Sequence, residues 1–451
     1  MLTLYPHQQE LFNASRIAAG LLCRSILVQA PTGAGKTAIG SAYAASAVAK
    51  RKRVIFSVHR DFLVDQTSQA FDRAGLAHSI IAAGHTPDYS APAIVASIGS
   101  LMRRLDVVQH TDLLIVDECH HAIAATWLNV IEHFKSRGAY IVGLSATPWR
   151  MNGAGLGMVY EKMICGPTVR WLIDNKYLSE FRAFAPSTPD LSGVHTRAGD
   201  YVREELAAVA VTGDAVSHYQ KITPGQRALA FCVSVEHSRS VTESFNAAGI
   251  AAEHIDATTP KDERAAKIEA FRAGRTRVLC SVEIFGEGFD SPACDAVILL
   301  RPTKSLALHL QQIGRGMRVA EGKERLTILD AAGNIARLGF PDDVHDWTLE
   351  GGVAKEKVAS VTTCPECFAS HRPAASCPEC GCVYPVAKQG REVASVEGEL
   401  AEITRKAAAK QELREAGADR QKLEKLAKAR GYDLRWVDHR LRFMGAWRKR
   451  A

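Results

Sequence analysis

The sequence predicts an α/β protein: two parallel-sheet domains in tandem, a small cysteine-built module behind them, and a basic helical C-terminal segment. Three observations carry this. Short apolar runs recur through the first 330 residues with helix-length stretches between them; five of the 11 cysteines crowd into residues 364–382; and residues 401–451 hold 15 Lys or Arg against 7 Asp or Glu.

The apolar runs of the first half are SILVQA (25–30), RVIFSVH (53–59), AIVAS (93–97), LLIVD (113–117) and YIVGLSA (140–146). Those of the second are ALAFCVS (228–234), RVLCS (277–281), AVILL (296–300) and LTILD (326–330). They are near-continuously apolar instead of alternating, as strands covered on both faces are. Alternation with stretches such as KDERAAKIEAFRAG (261–274) argues for parallel sheets. The expected division is 1–165 and 216–340 for the two domains, with 166–215 a connector or insertion. A linker at 341–360, a cysteine module at 361–388 and a basic tail at 389–451 complete it. At 451 residues the chain is too long for one ordinary core.

No run approaches the roughly 18 apolar residues of a membrane span, and MLTLYPHQQE lacks the basic and apolar regions of a signal peptide. The six scattered cysteines sit among apolar neighbours, as reduced thiols do, so a cytoplasmic protein is expected. The net charge of +7 resides in the tail, since the first 400 residues carry 41 basic against 42 acidic side chains. Such an excess is either a solvated helix face or a contact for a polyanion.

SILVQAPTGAGKTAIGSAYAASA (25–47) reads as strand, glycine-containing loop and helix. The loop fits the phosphate-binding pattern, with Ala30 where a first glycine often stands and Gly35-Lys36-Thr37 at its end. Positive φ at Gly33 and Gly35 turns successive N–H groups inward onto phosphate oxygens. Lys36 then reaches the terminal phosphates and the Thr37 hydroxyl binds Mg²⁺. Pro31, Thr32, Gly33, Ala34, Gly35, Lys36 and Thr37 are the expected ATP contacts. A second strand, LLIVDECHHA (113–122), delivers two adjacent acids. Like charges side by side are costly unless a cation or open water lies close. Asp117 as the Mg²⁺ ligand and Glu118 as the residue that polarises the attacking water account for the pair.

With these residues in place, the chain resembles a superfamily 2 nucleic-acid helicase over about residues 4–340. APTGAGKT is similar to motif I, VHRDFLVDQ (58–66) to motif Ia, ASIGSL (96–101) to Ib, DECH (117–120) to II, LSATPWR (144–150) to III, GEGFD (286–290) to V and QQIGRGMR (311–318) to VI. The phage and prophage helicases, the XPB-like group and restriction-enzyme motors are the nearest in pattern. The resemblance implies two RecA-like domains, ATP and Mg²⁺ between them, and nucleic acid, DNA in preference to RNA, as partner; a phage-encoded chain would act in the host cytoplasm. It implies that Gln8 reads adenine, that Gln311 approaches the γ-phosphate or its water, and that Gly288 and Asp290 face the nucleotide. It further implies coupling through His120, Ser145 and Thr147, and contact with the nucleic-acid backbone at Arg60, Ser97 and Ser100. Arg315 and Arg318, three apart, share a face on a helix. Set across the interdomain cleft they would act as arginine fingers, contributing roughly 10³–10⁵ in rate. Gly99, Asn152 and SVEIFGEGFD depart from the family pattern, away from the triphosphate chemistry.

Cys364-x₂-Cys367 and Cys377-x₂-Cys380, nine residues apart, make two knuckles of a tetrahedral S₄ cage. Zn²⁺ is the expected ion, with iron its rival, and Cys382 and His371 bystanders. In the tail, Leu434, Val437, Leu441 and Met444 form an apolar stripe beside Trp436, Arg440, Phe443 and Trp447. A small helical unit burying its aromatics accounts for this, as does a base-stacking surface. Ribbon and tail are the places for a protein partner or an accessory DNA contact. Three functions stand: an unwinding DNA helicase, a duplex translocase without strand separation, and an ATP-gated nucleic-acid clamp of little turnover.

Overall fold

The computed structural model describes residues 3–59, 61–108, 110–149, 153–185, 189–197, 199–209, 215–282, 294–352, 360–385, 416, 419–429, 436–438 and 441. It divides into two units, Met1–Tyr384 and Pro385–Ala451.

The first lobe of the larger unit is a seven-stranded parallel sheet. In chain order its strands are β1 (Ser25–Gln29), β2 (Val54–Val58), β3 (His78–Ile81), β4 (Ala93–Ser97), β5 (Leu113–Val116), β6 (Tyr140–Ser145) and β7 (Lys162–Cys165). Their spatial order is β3-β4-β2-β5-β6-β1-β7. The apolar runs are explained by the two cores they feed. Ile26 and Val28 of β1 and Val54, Phe56 and Val58 of β2 enter one cluster, whereas Leu27 and Ile55 enter the other. Side chains alternate across a strand, so a strand buried on both faces must be apolar at every position. β1, β2 and β4 are buried throughout.

The second sheet contains β8 (Glu180–Phe184), β11 (Ala228–Phe231), β12 (Ala252–Ile255), β13 (Val278–Ser281), β14 (Ala296–Leu299) and β15 (Arg325–Asp330), with β9 (Thr196–Arg197) and β10 (Asp200–Tyr201) forming a separate two-stranded ribbon. It ends with β16 (Thr362–Thr363) and β17 (Ala369–His371), in the order β12-β13-β11-β14-β15-β8-β17-β16. Two features differ from the sequence expectation. The stretch 166–215 is not only a connector, because β8 within it pairs in parallel with β15. The cysteine module is not a pendant either: β17 pairs antiparallel with β8, Ala369 opposite Phe184, and continues the sheet. EFRAF mixes charge with apolar residues, and of its five positions only Ala183 and Phe184 are buried.

In the smaller unit a helix at Arg420–Ala429 buries Leu423 and Ala427 with Val437. Arg420 binds Glu424 at 2.9 Å and Asp438 at 3.0 Å. Leu441 and Trp436 pack on this small core, as the helical-unit reading expects. Leu434, Arg440, Phe443, Met444 and Trp447 lie outside the described residues.

Candidate nucleotide site

Every loop with chemistry in the first lobe leaves the carboxyl end of a parallel strand, where open α/β sheets gather their ligands. After β1 the chain turns through Gly33 at φ +90° and Gly35 at φ +86° before the helix Lys36–Val48 begins. Only glycine takes these angles without strain. A Cβ on Gly35 would also run into the Gln8 side chain. Gln8 donates to the Ala34 carbonyl at 3.0 Å and accepts from the Tyr5 N–H at 3.0 Å. It therefore braces the loop from behind.

After β5, Glu118 sits in the left-handed region at φ +46°, ψ +51°, a strained setting for a side-chain-bearing residue. The Glu118 N–H donates to Asp117 Oδ1 at 3.0 Å. Glu118 is 4% exposed, and its Oε2 lies 3.5 Å from His120 Nδ1. His120 Nδ1 in turn lies 3.4 Å from Ser145 Oγ, which donates to the Thr147 carbonyl at 2.8 Å and accepts from the Thr147 N–H at 3.2 Å. The three residues expected to couple thus form one contiguous chain from Glu118 to the loop after β6. Cys119 points the other way, into the core, where burial raises its thiol pKa. It packs there against Tyr160, whose hydroxyl is also raised by burial.

The second lobe closes the site. Thr32, Gly33, Gly35, Lys36, Thr37, Asp117, Glu118, Arg315 and Arg318 line one cleft of about 400 Å³. Arg315 is carried by the helix Leu306–Gly316. Arg318 is not: the helix stops at Gly316, and Arg318 reaches the cleft from the following turn, where it bridges to Leu178. Gly316 is pressed against Leu326 and Val297, which leaves no room for a side chain. Lys323 then caps the helix by donating to the carbonyls of Gly316 and Arg318. Five residues absent from the expected set also line the cleft: Ala38, Ser41, Gln66, Ala70 and Arg73, of which Gln66 and Arg73 carry long polar side chains. Gln66, Ala70 and Arg73 stand at i, i+4 and i+7 on the helix Asp61–Arg73, a spacing the sequence does contain.

Other expected residues stand apart. Gln311 is buried on the Arg315 helix, and its Nε2 has no hydrogen-bond partner among the described residues. Ser97 and Ser100 are 4% and 3% exposed, and Ser100 Oγ accepts from Arg103 at 3.3 Å. Arg60, Gly288 and Asp290 lie outside the described residues.

The family model for the type III restriction enzyme res subunit matches residues 1–150, and that for the helicase conserved C-terminal domain matches residues 212–320. A 51.5 kDa protein of a Lactococcus phage is 38% identical over 351 residues, 76% of this chain and 74% of its own. The chain belongs to the superfamily 2 helicases, of the restriction-motor-like type. A protein of Saccharomyces cerevisiae assigned as the ATP-dependent helicase IRC3 is 33% identical over 254 residues. That match takes in 53% of this helicase and 37% of the yeast chain. A solved fragment assigned as the HsdR subunit of a type I restriction enzyme from Vibrio vulnificus shares the fold, with TM-score 0.58 and 22% identity over 74% of this chain and 67% of that one. The helicase is accordingly an ATP-dependent enzyme acting on nucleic acid. Among its described residues no helix is long and apolar enough to cross a membrane.

The helicase carries a second constellation in its ribbon. The Sγ atoms of Cys364, Cys367, Cys377 and Cys380 lie within 4.8 Å of one another, with Cys364–Cys380 and Cys367–Cys377 each at 3.6 Å. Tetrahedral bonds of roughly 2.3 Å separate sulfurs by about 3.8 Å, so the cage fits a zinc-sized ion. His371 turns away, its Nε2 meeting the Tyr384 hydroxyl at 2.6 Å. Glu379 of the second knuckle binds Arg182 at 3.4 Å and Arg325 at 3.5 Å, fastening the ribbon to β8 and β15.

Proposed function

We propose that the helicase hydrolyses ATP when bound to DNA and uses closure of its two lobes to translocate and to separate strands. The placement of Arg315 and Arg318 in the same cleft as Lys36, Thr37, Asp117 and Glu118 carries this reading. Lys36 and the loop N–H groups hold the β- and γ-phosphates. Thr37 and Asp117 would hold Mg²⁺, which would neutralise the charge that develops on the phosphate oxygens. Glu118, its carboxylate oriented by His120, aligns and deprotonates the attacking water. Arg315 and Arg318 stabilise the transferring phosphoryl group, so turnover requires the closed arrangement and phosphate release permits opening. Gln8 fixes the loop and the edge of the base. The chain Glu118–His120–Ser145–Thr147 reports the state of the phosphate to the rest of the first lobe.

DNA is favoured over RNA as the partner because the restriction-enzyme family model matches residues 1–150, which carry the phosphate loop and the Asp117–Glu118 pair. The four ribbon cysteines are assigned to Zn²⁺, whose binding would add to the folding free energy of the module. Turnover measured with single-stranded DNA, duplex, fork and RNA tests the reading. It should rise most with DNA and vanish in Lys36→Ala and in Glu118→Gln. Turnover that ignores all four polymers sinks it. Strand displacement run beside triplex displacement then separates unwinding from duplex translocation.

A further inference from the structure

After its last central strand the second lobe sends the chain back to the first. Phe340 is buried in the second lobe, with its ring 6.2 Å from Phe181. Next to it, Arg372 of the cysteine ribbon binds Asp342 and Asp343, each at 2.7 Å. Five residues later the chain is on the first lobe. Trp149 Nε1 donates to the Thr348 carbonyl at 2.9 Å, and the Trp149 and Trp347 rings meet edge to face at 4.7 Å. The Gly157 N–H donates to the Leu349 carbonyl at 2.8 Å, and the Gly352 N–H donates to the Gly153 carbonyl at 3.1 Å. A Cβ on Gly155 would overlap the backbone of Leu349 and Gly351, and one on Gly352 would overlap the Trp149 ring. The approach therefore depends on bare backbone on both sides.

We propose that residues 341–352 are a strap that ties the loop after β6 to the cysteine ribbon, with Trp347 the positioning residue for that loop. Trp149 lies two residues beyond Thr147, the end of the chain of contacts that begins at Glu118. A strap holding Trp149 therefore holds the loop whose other end reaches the Glu118 carboxylate through Ser145 and His120. Its reach is short: Asp343 to Thr348 spans at most about 17 Å when fully extended. The ribbon end is fixed by Arg372, and the ribbon itself is fixed by the cysteine cage and by its pairing with β8. The integrity of the cage thus becomes a condition for the geometry of the loop after β6, although the two lie in different lobes.

This inference rests on the nucleotide-site reading, and the experiment separates the two. Amide hydrogen exchange is measured on the full chain for wild type, Arg372→Ala, Trp347→Ala and Trp347→Phe, and for wild type after zinc chelation. ATP turnover of each variant is measured beside it, with Lys36→Ala as the control for the nucleotide site. Zinc content confirms that the ribbon of each variant is intact. Arg372→Ala, Trp347→Ala and chelation should each raise exchange at Gly157 and Gly352. Arg372→Ala and Trp347→Ala should lower kcat on the order of tenfold with KM for ATP unchanged, the pattern of a displaced rather than a missing group. Trp347→Phe should restore both readouts. Unchanged exchange at Gly157 and Gly352 in Arg372→Ala and after chelation overturns the strap. Raised exchange with an unchanged kcat overturns the positioning role of Trp347. A Lys36→Ala chain that turns over normally defeats the nucleotide reading, and the exchange data then still decide the strap.

Discussion

The helix Leu306–Gly316 and the turn behind it look into two spaces that differ in kind. On one side Arg315 and Arg318 enter the charged cleft of about 400 Å³ that holds Lys36, Asp117 and Glu118. On the other, Leu310 and Met317 border a mainly apolar cavity of about 190 Å³ closed by Pro341, Trp347 and Ala146. Thr32 and Gly314 line the boundary, so close that a Cβ on Gly314 would overlap the Thr32 side chain. One side is built from charges that need a ligand. The other is stitched by a strap, by backbone hydrogen bonds and by two tryptophans. Two lobes pressed together at a glycine, tied behind and open in front, can rock about that contact without separating. On the proposed reading, the charged side does the work and the apolar side is the hinge.

Removing the charged side should have the largest effect. Arg315→Ala should lower kcat by about 10³-fold or more, the range for an arginine that meets a transferring phosphoryl group. KM for ATP should change little, because Lys36 and the loop remain. Arg318→Ala is expected to fall in the same direction. Steady-state ATPase assays at saturating DNA check this, and a loss of tenfold or less would place both arginines with the hinge and erase the asymmetry.

Much of this was legible in the sequence, and the legible part has a physical boundary. β1, β2, β4, β5 and β6 announce themselves because a strand buried on both faces is apolar at every position. HSII, KMIC, EFRAF and AEHI, which form β3, β7, β8 and β12, are hidden because these strands lie at or near sheet edges and carry polar residues toward solvent. The phosphate loop and the DECH acids were readable because each chemical unit is contiguous in the chain. Gln66 and Arg73 were in principle readable from helical spacing. Two guanidiniums three apart fit one helix face, so spacing alone puts Arg318 on a helix, and nothing in QQIGRGMR marks Gly316 as the residue that ends it. The pairing of Trp149 with the strap was beyond reach. Its hydrogen bond spans 199 residues, and neither WRMNGAGLG nor VHDWTLE has periodicity that points to the other.

An acid titration sharpens the comparison at the root of the strap. His309 is fully buried on the same helix, and its Nε2–H donates to the Gly339 carbonyl at 3.0 Å. Burial holds its pKa at about 4, and Arg337 and His345, which face it, push in the same direction. The folded chain keeps this imidazole neutral while the unfolded chain protonates near the ordinary value of about 6.5. Its contribution is complete above that value and is lost as the pH falls toward 4, amounting to about 2 kcal/mol at pH 5. Urea unfolding at pH 7 and pH 5 should show this difference in wild type, and His309→Gln should flatten it. An equal pH dependence in both chains would mean that some other group controls the hinge side.

The smallest effect is expected at the mouth of the charged side. Lys261 of the second lobe binds Asp65 of the first at 2.7 Å, and Asp65 directly precedes the cleft-lining Gln66 in the chain. The pair looks like a latch, but Lys261 is 84% exposed in its side chain and Asp65 35%, so water screens the attraction. An exposed pair of this kind is worth about 0–1 kcal/mol. Lys261→Ala should therefore raise KM for ATP by no more than about fivefold in low salt, and by nothing measurable at high ionic strength, where such pairs are largely screened. A larger, salt-resistant effect would make the front of the cleft a tied side like the back. The lobes would then need a broken ion pair, and not only rocking about Thr32 and Gly314, to admit the nucleotide.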